Sequence, residues 1–156
     1  MVAKLLRTND DCVLVAARLV LGIVFFIHGS QKVLGWFGGH TFNETMAVFT
    51  DTMHIPAPLA FLAIAAEFGG GIALVLGLLG RVAALGIICV MVVAIVKVHF
   101  QNGFFMNWGN VPGKPEGYEY HLLAIALALV ILVKGSGALS IDRLLTPSRA
   151  LPPPSK

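Results

Sequence analysis

The sequence predicts an all-α protein: a membrane-spanning, antiparallel four-helix bundle with a short interfacial helix between its first and second helices. Composition is the first observation. Of 156 residues, 57% are hydrophobic and 12% are charged, against about 45–50% and about 25% in soluble domains. The second is patterning. Mean hydropathy is +0.85, and stretches such as Val82–Val96 lack the polar outer face that an amphipathic helix of a soluble protein shows. The third is the distribution of basic residues, which sorts to one side of the predicted spans.

The same numbers favour one domain and exclude a disordered chain, a collagen-like repeat and a disulfide scaffold. A net charge of +3 without a basic stripe argues against nucleic acid as a partner. Cys12 and Cys89 stand in neither CxxC nor CxxH spacing, so they define neither a redox compartment nor a metal site.

The first span covers about residues 12–34, with Arg18 inside it and His28 and Lys32 near its far end. Lys4 and Arg7 before it imitate a signal peptide, but no small-residue cleavage pattern follows, so it reads as a retained helix. In the connection that follows, Thr41-Phe42-Asn43-Glu44 fits a capping box. Phe42, Met46, Phe49 and Met53 then repeat at helical spacing. They predict a short helix on the outer membrane surface, either a lid packed for stability or a gate.

Pro56 and Pro58 open the second span, about 57–79, with Glu67 near its middle. Leu78-Leu79-Gly80-Arg81 is so short a connection that the second and third spans form an antiparallel hairpin. The third span covers about 81–101, with Lys97 and His99 late in it. Phe104, Phe105, Trp108, Tyr118 and Tyr120 follow and read as an interfacial aromatic belt, with ligand stacking as the alternative. The fourth span covers about 118–139, and Ser140 caps a short surface helix over residues 140–145 after it. Each span, at about 20 residues, makes about 30 Å of helix, the thickness of a bilayer core. Residues 1–145 thus form one domain, and 146–156, with Pro152-Pro153-Pro154, read as a disordered tail.

With four spans, Lys4, Arg7, Arg81, Lys134, Arg143, Arg149 and Lys156 share one side, and Lys114 alone holds the other. The asymmetry predicts cytoplasmic termini.

Glu67 lies about 15 Å from the outer interface. A lone carboxylate there would cost at least ~2.5–3.5 kcal/mol, so it is expected to be paired or protonated. Arg18, about 9 Å in from the other side, is the nearest cation by depth, and its long side chain spans much of the gap. The pair reads either as a structural pin or as a proton-handling carboxylate with its counter-ion. Gly69, Ala73 and Gly77 form a small-xxx-small ladder for close helix contact.

A second cluster sits at the outer edge: His28 and Lys32 on one face, then Lys97, His99, Glu119 and His121 at similar depth. These residues can hydrogen-bond one another and the headgroups, or bind an anionic or carbonyl-bearing ligand. Three histidines can also hold a metal or haem, but no HxxH or HxxxH pair stands within a helix, so no metal ligands are assigned.

Several stretches resemble the DoxX family of membrane proteins. They are Arg18-Leu19-Val20-Leu21-Gly22, Phe26-Ile27-His28-Gly29 with Lys32, and Ala66-Glu67-Phe68-Gly69-Gly70-Gly71 with Leu76-Gly77-Leu78 and Arg81. His99-Phe100 before Gly103-Phe104-Phe105, Gly117-Tyr118-Glu119-Tyr120 and the stretch from Gly135 to Asp142 complete the pattern. The likeness covers about residues 12–145.

The resemblance implies a multi-pass protein of a prokaryotic inner membrane, linked to quinone-coupled sulfur oxidation of the thiosulfate:quinone oxidoreductase kind. It carries over the motif positions Arg18, His28, Lys32, Glu67, His99 and Glu119. With His121 from the outer cluster, they divide into candidate catalytic residues, Glu67 and Arg18, and candidate quinone-binding residues, His28, Lys32, His99, Glu119 and His121. Electrons would come from a partner redox subunit, with a homo-oligomer as the other expected assembly. The alternatives are a non-catalytic anchor of a larger complex and a lipid- or metabolite-binding membrane protein.

Overall fold

Asp11 starts the first long helix by accepting the Val13 N–H at 2.8 Å, leaving one fewer unpaired donor in the first turn. A computed structural model describes residues 6–8 and 10–146. The expected proline-rich tail lies, beyond Thr146, outside the described residues. Helix α1 runs over Cys12–Val33, α2 over Phe42–Ala47 with a π turn at Val48–Thr52, and α3 over Ala57–Leu76. Helix α4 spans Gly80–Ala94 and continues through a π turn at Ile95–His99 to Asn102. Helix α5 is Glu119–Lys134 and α6 is Ile141–Leu145. The described residues contain no named strand, only an isolated bridge between Leu34 and Thr41.

Among the described residues three helices are long and apolar enough to cross a membrane: Cys12–Val33, Ala57–Leu76 and Gly80–Asn102. The fourth long helix is shorter than the sequence predicts. It ends at Lys134 because Gly135 and Gly137 take φ of 91° and 79°, a region that suits glycine and breaks the helix. Residues 135–138 then fold back into buried positions instead of extending the span to 139.

Helix α1 packs on α3, α3 on α4, α4 on α5, and α5 returns to α1. Inward positions recur every three or four residues, as at Ala60, Ile64, Glu67, Gly70, Gly71 and Leu74. Leu21, Phe25, Leu74, Ala84, Ile87, Ala128 and Ile131 meet in one core. The opposite faces are also apolar: Val20, Ile23, Phe61, Leu62, Leu85, Val92, Val93, Leu123, Val130 and Val133 are exposed. Apolar residues on both faces need hydrocarbon around them.

The close α1–α3 contact uses different glycines from those the small-residue ladder predicts. A Cβ on Gly29 would lie 2.4 Å from the Phe68 Cα, and one on Gly71 would lie 2.4 Å from the Phe26 nitrogen. Gly69 is exposed, with nothing within 4 Å of such a Cβ. The ladder places it on the wrong face, since Gly69 and Gly71, two residues apart, lie about 200° apart round the helix.

The α3–α4 hairpin closes tightly. Gly77, at φ 67°, lets its N–H reach the Leu74 carbonyl and the Leu78 N–H reach the Ala73 carbonyl, a Schellman end that satisfies two otherwise unpaired acceptors. This end of the bundle is called the hairpin end below, and the opposite one the loop end.

Candidate functional site

The hairpin end gathers the charge of Arg18. The guanidinium is 1% exposed and donates to the carbonyls of Leu74 at 2.6 Å, Val75 at 2.7 Å and Leu139 at 3.0 Å. Two of these acceptors belong to the last turn of α3, where carbonyls have spare accepting capacity and the helix dipole is negative. Asp142, equally buried, accepts from the Leu79 and Gly80 N–H groups at 2.7 and 3.0 Å and from the Ser136 hydroxyl at 2.5 Å. Those amides are the positive start of α4. Arg81 likewise donates to the Leu132 carbonyl near the end of α5. The expected Arg18–Glu67 pair is therefore not formed. Arg18 instead completes the end of α3.

Glu67, 4% exposed, pairs instead with Lys32 of α1 at the loop end. Depth along the helix suggests Arg18, but α1 and α3 run antiparallel in close contact. That contact brings Lys32, one residue from the end of α1, against Glu67, and the lysine's four-carbon stem covers the remaining rise.

Around this pair the structure brings most of the outer cluster together. The His28 ring lies 6.2 Å from that of Tyr120, Tyr120 lies 5.6 Å from His121, and His121 lies 4.2 Å from His99. Residues from α1, α3, α5 and the π turn after α4 thus make one polar path. Its His99 end reaches the loop, through Nδ1 to the Glu116 carbonyl at 2.9 Å. π turns of this kind recur at functional sites, where they change which way a side chain points. Two buried polar atoms on the path, the Tyr120 hydroxyl and His121 Nδ1, have no hydrogen-bond partner. Leaving such atoms unpaired costs about 1–3 kcal/mol each, which makes them positions for a ligand or water.

Not all sequence candidates join the path. Glu119 turns to the 103–118 loop, where its carboxylate accepts from the Met106 N–H at 3.2 Å and from Trp108 Nε1 at 3.3 Å. Lys97 is exposed. Among the described residues no three His, Cys, Asp or Glu side chains are grouped to hold a metal ion.

Two residues of these sites went unassigned from sequence. Tyr120 reads as a belt aromatic but packs against the core between two histidines. Asp142 lies in a short helix that reads as surface yet is fully buried. Its signal was its place just after a Gly-x-Gly turn, which allows the chain to fold back beneath a helix end.

Apolar helices facing outward around an inward Lys32–Glu67 pair and a buried arginine define a polytopic helical membrane protein. The chain belongs to the DoxX family, which it matches over residues 13–100. It is 30% identical over 147 residues to the inner membrane protein YqjF of Escherichia coli (strain K12), covering 90% of this chain and 97% of that one. To the "Putative oxidoreductase CatD" of Bacillus subtilis (strain 168) it is 26% identical over 125 residues, covering 80% and 81%. An uncharacterized protein of Haemophilus influenzae is 29% identical over 134 residues, 85% of this chain and 82% of that one. No solved structure matches.

Proposed function

We propose that this protein is the quinone-interacting membrane subunit of a redox system of the thiosulfate:quinone oxidoreductase kind, binding quinone at the loop end against the Lys32–Glu67 pair. The observation that carries this reading is the pair itself, sunk between α1 and α3 and flanked by polar atoms that lack partners. A quinone carbonyl needs a hydrogen-bond donor, and its reduction needs a proton source. Lys32 has three N–H donors and gives one to Glu67, so donors remain for a carbonyl. In this reading the Lys32–Glu67 pair passes the proton on, and His28, Tyr120, His121 and His99 continue the polar path toward the loop. A bound quinone would supply the electron-accepting chemistry, with electrons delivered by a partner redox subunit. The name of the B. subtilis relative, "Putative oxidoreductase CatD", supports the same class.

The same reading makes the four long helices four antiparallel spans, with α5 completing its crossing through the residues beside it. Helix α2 lies on the outer surface, and the hairpin end with both termini faces the cytoplasm. The basic asymmetry of the sequence supports this orientation, and the name of the E. coli relative supports an inner membrane. Exposed Cys12, at the hairpin end of α1, would then react with an impermeant maleimide only from the cytoplasmic side.

Solvent extraction of protein purified in mild detergent, followed by mass spectrometry, tests the function. A quinone is expected to accompany the protein near stoichiometrically. A protein that carries none, and that supports no thiosulfate-dependent quinone reduction with its partners present, is the non-catalytic anchor instead.

A further inference from the structure

A cleft of ≈240 Å³ opens at the loop end, between the last turn of α1 and α2. Gln31 and Lys32 line it from α1, Gly39 and His40 from the loop, and Thr45, Val48 and Phe49 from α2 and its π turn. Thr45 is 4% exposed and its hydroxyl has no partner. A threonine in a helix ordinarily bonds back to the carbonyl three or four residues earlier. Thr50 does so, reaching the Met46 carbonyl at 3.0 Å. Thr45 does not, and an unpaired buried hydroxyl is kept at a cost of about 1–3 kcal/mol.

The chemistry of the walls narrows the occupant. Lys32 faces both the cleft and Glu67, and the acid offsets its charge. Gln31 and Thr45 are uncharged hydrogen-bonders, and Val48 and Phe49 offer a flat apolar side. An inorganic anion would meet too little net positive charge. At ≈240 Å³ and open on one side, the cleft has room for one substituted six-membered ring.

We propose that this cleft seats the head of the ligand, a planar, neutral, carbonyl-bearing ring. The Thr45 hydroxyl and the spare N–H groups of Lys32 bond its carbonyl, and Val48 and Phe49 lie against its face. The proposal rests on the quinone reading and gives it a place, with α2 as a wall of the binding site.

The test uses the full chain in lipid nanodiscs with a short-chain benzoquinone that carries a photoreactive azido group, followed by peptide mapping. Label is expected within residues 31–49 and should be displaced by excess unlabelled short-chain benzoquinone. Thr45→Val should weaken that displacement about five- to tenfold. Displaceable label confined to residues 95–121 overturns the cleft and leaves the quinone reading standing. Absence of displaceable label anywhere overturns the quinone reading, and the cleft with it. Wild-type affinity in Thr45→Val also overturns the proposal. Should that variant fail to fold, the position of the label on the unaltered protein decides.

Discussion

At the hairpin end, Arg18, Asp142 and Arg81 direct their charges at backbone groups of helix ends. At the loop end, Lys32 and Glu67 direct theirs at each other, and the Tyr120, His121 and Thr45 polar atoms beside or beyond them stay unpaired. Both ends bury charge in an apolar surround, so burial alone does not distinguish a structural charge from a working one. What separates them is where the polar groups point. The hairpin end has replaced the water a helix terminus needs with side chains, and of the described buried atoms without a partner only Arg18 Nε lies there, against three at the loop end. The loop end keeps hydrogen-bonding capacity in reserve.

The contrast breaks first on Arg18. Arg18→Met removes a nearly inaccessible guanidinium from three carbonyls. The expected loss is about 3–5 kcal/mol of unfolding free energy, since each acceptor that loses its charged donor costs about 1–3 kcal/mol. Denaturant unfolding in detergent measures it. A loss under ~1 kcal/mol would mean that the hairpin end is not held by this clasp.

The seam that ties the two ends together comes next. In Gly71→Ala the new Cβ meets the α1 backbone at 2.4 Å, and separating α1 from α3 should cost about 1–3 kcal/mol. Gly69→Ala meets nothing within 4 Å and should be neutral or stabilising by up to about 1 kcal/mol, through lower backbone entropy in the unfolded chain. Equal effects in a thermal melt would restore the ladder that the sequence suggests.

Glu67→Gln sharpens the comparison from the loop end. Lys32 keeps 29% side-chain exposure and can turn toward water, so the loss of stability should be only about 1 kcal/mol. Retained quinone and any quinone-linked turnover should instead fall at least ~tenfold, a loss of binding or proton supply that stability does not explain. The opposite result, intact turnover with a large drop in melting temperature, would make this pair as structural as Arg18.

Much of this architecture is legible in the sequence, and the parts that are not have physical reasons. Helix positions follow from apolar length, and the start of α2 follows from Thr41 and Glu44 because a capping box is a local device. The partner of Glu67 was not legible, since depth along a helix is a one-dimensional measure and pairing depends on which helices touch. The correct seam glycines depend on the rotation of α3, which a fully apolar helix does not announce. The meeting of His99 with His121 depends on a π turn, and no residue type between Ile95 and His99 signals one. Asp142 escaped notice because a helix of five residues looks like a surface element until the chain is folded beneath the hairpin.

The smallest expected effect concerns α2. The Glu44 carboxylate accepts from the Thr41 N–H at 2.7 Å and from its hydroxyl at 2.8 Å, and these bonds hold its carboxyl below the ordinary value of 4.5. Because the folded value is the lower one, the contribution is complete above pH 4.5 and is lost as pH falls through the folded value. Amide-exchange protection of residues 45–48 should therefore be level above about pH 5 and decline in more acid solution. Glu44→Gln should flatten that decline, and an unchanged decline in the variant would remove the cap as its cause. Since α2 is also a wall of the cleft, the same acid step should weaken displacement of the photoreactive benzoquinone in the wild type more than in the variant. That coupling separates a binding wall from a helix that merely covers the bundle.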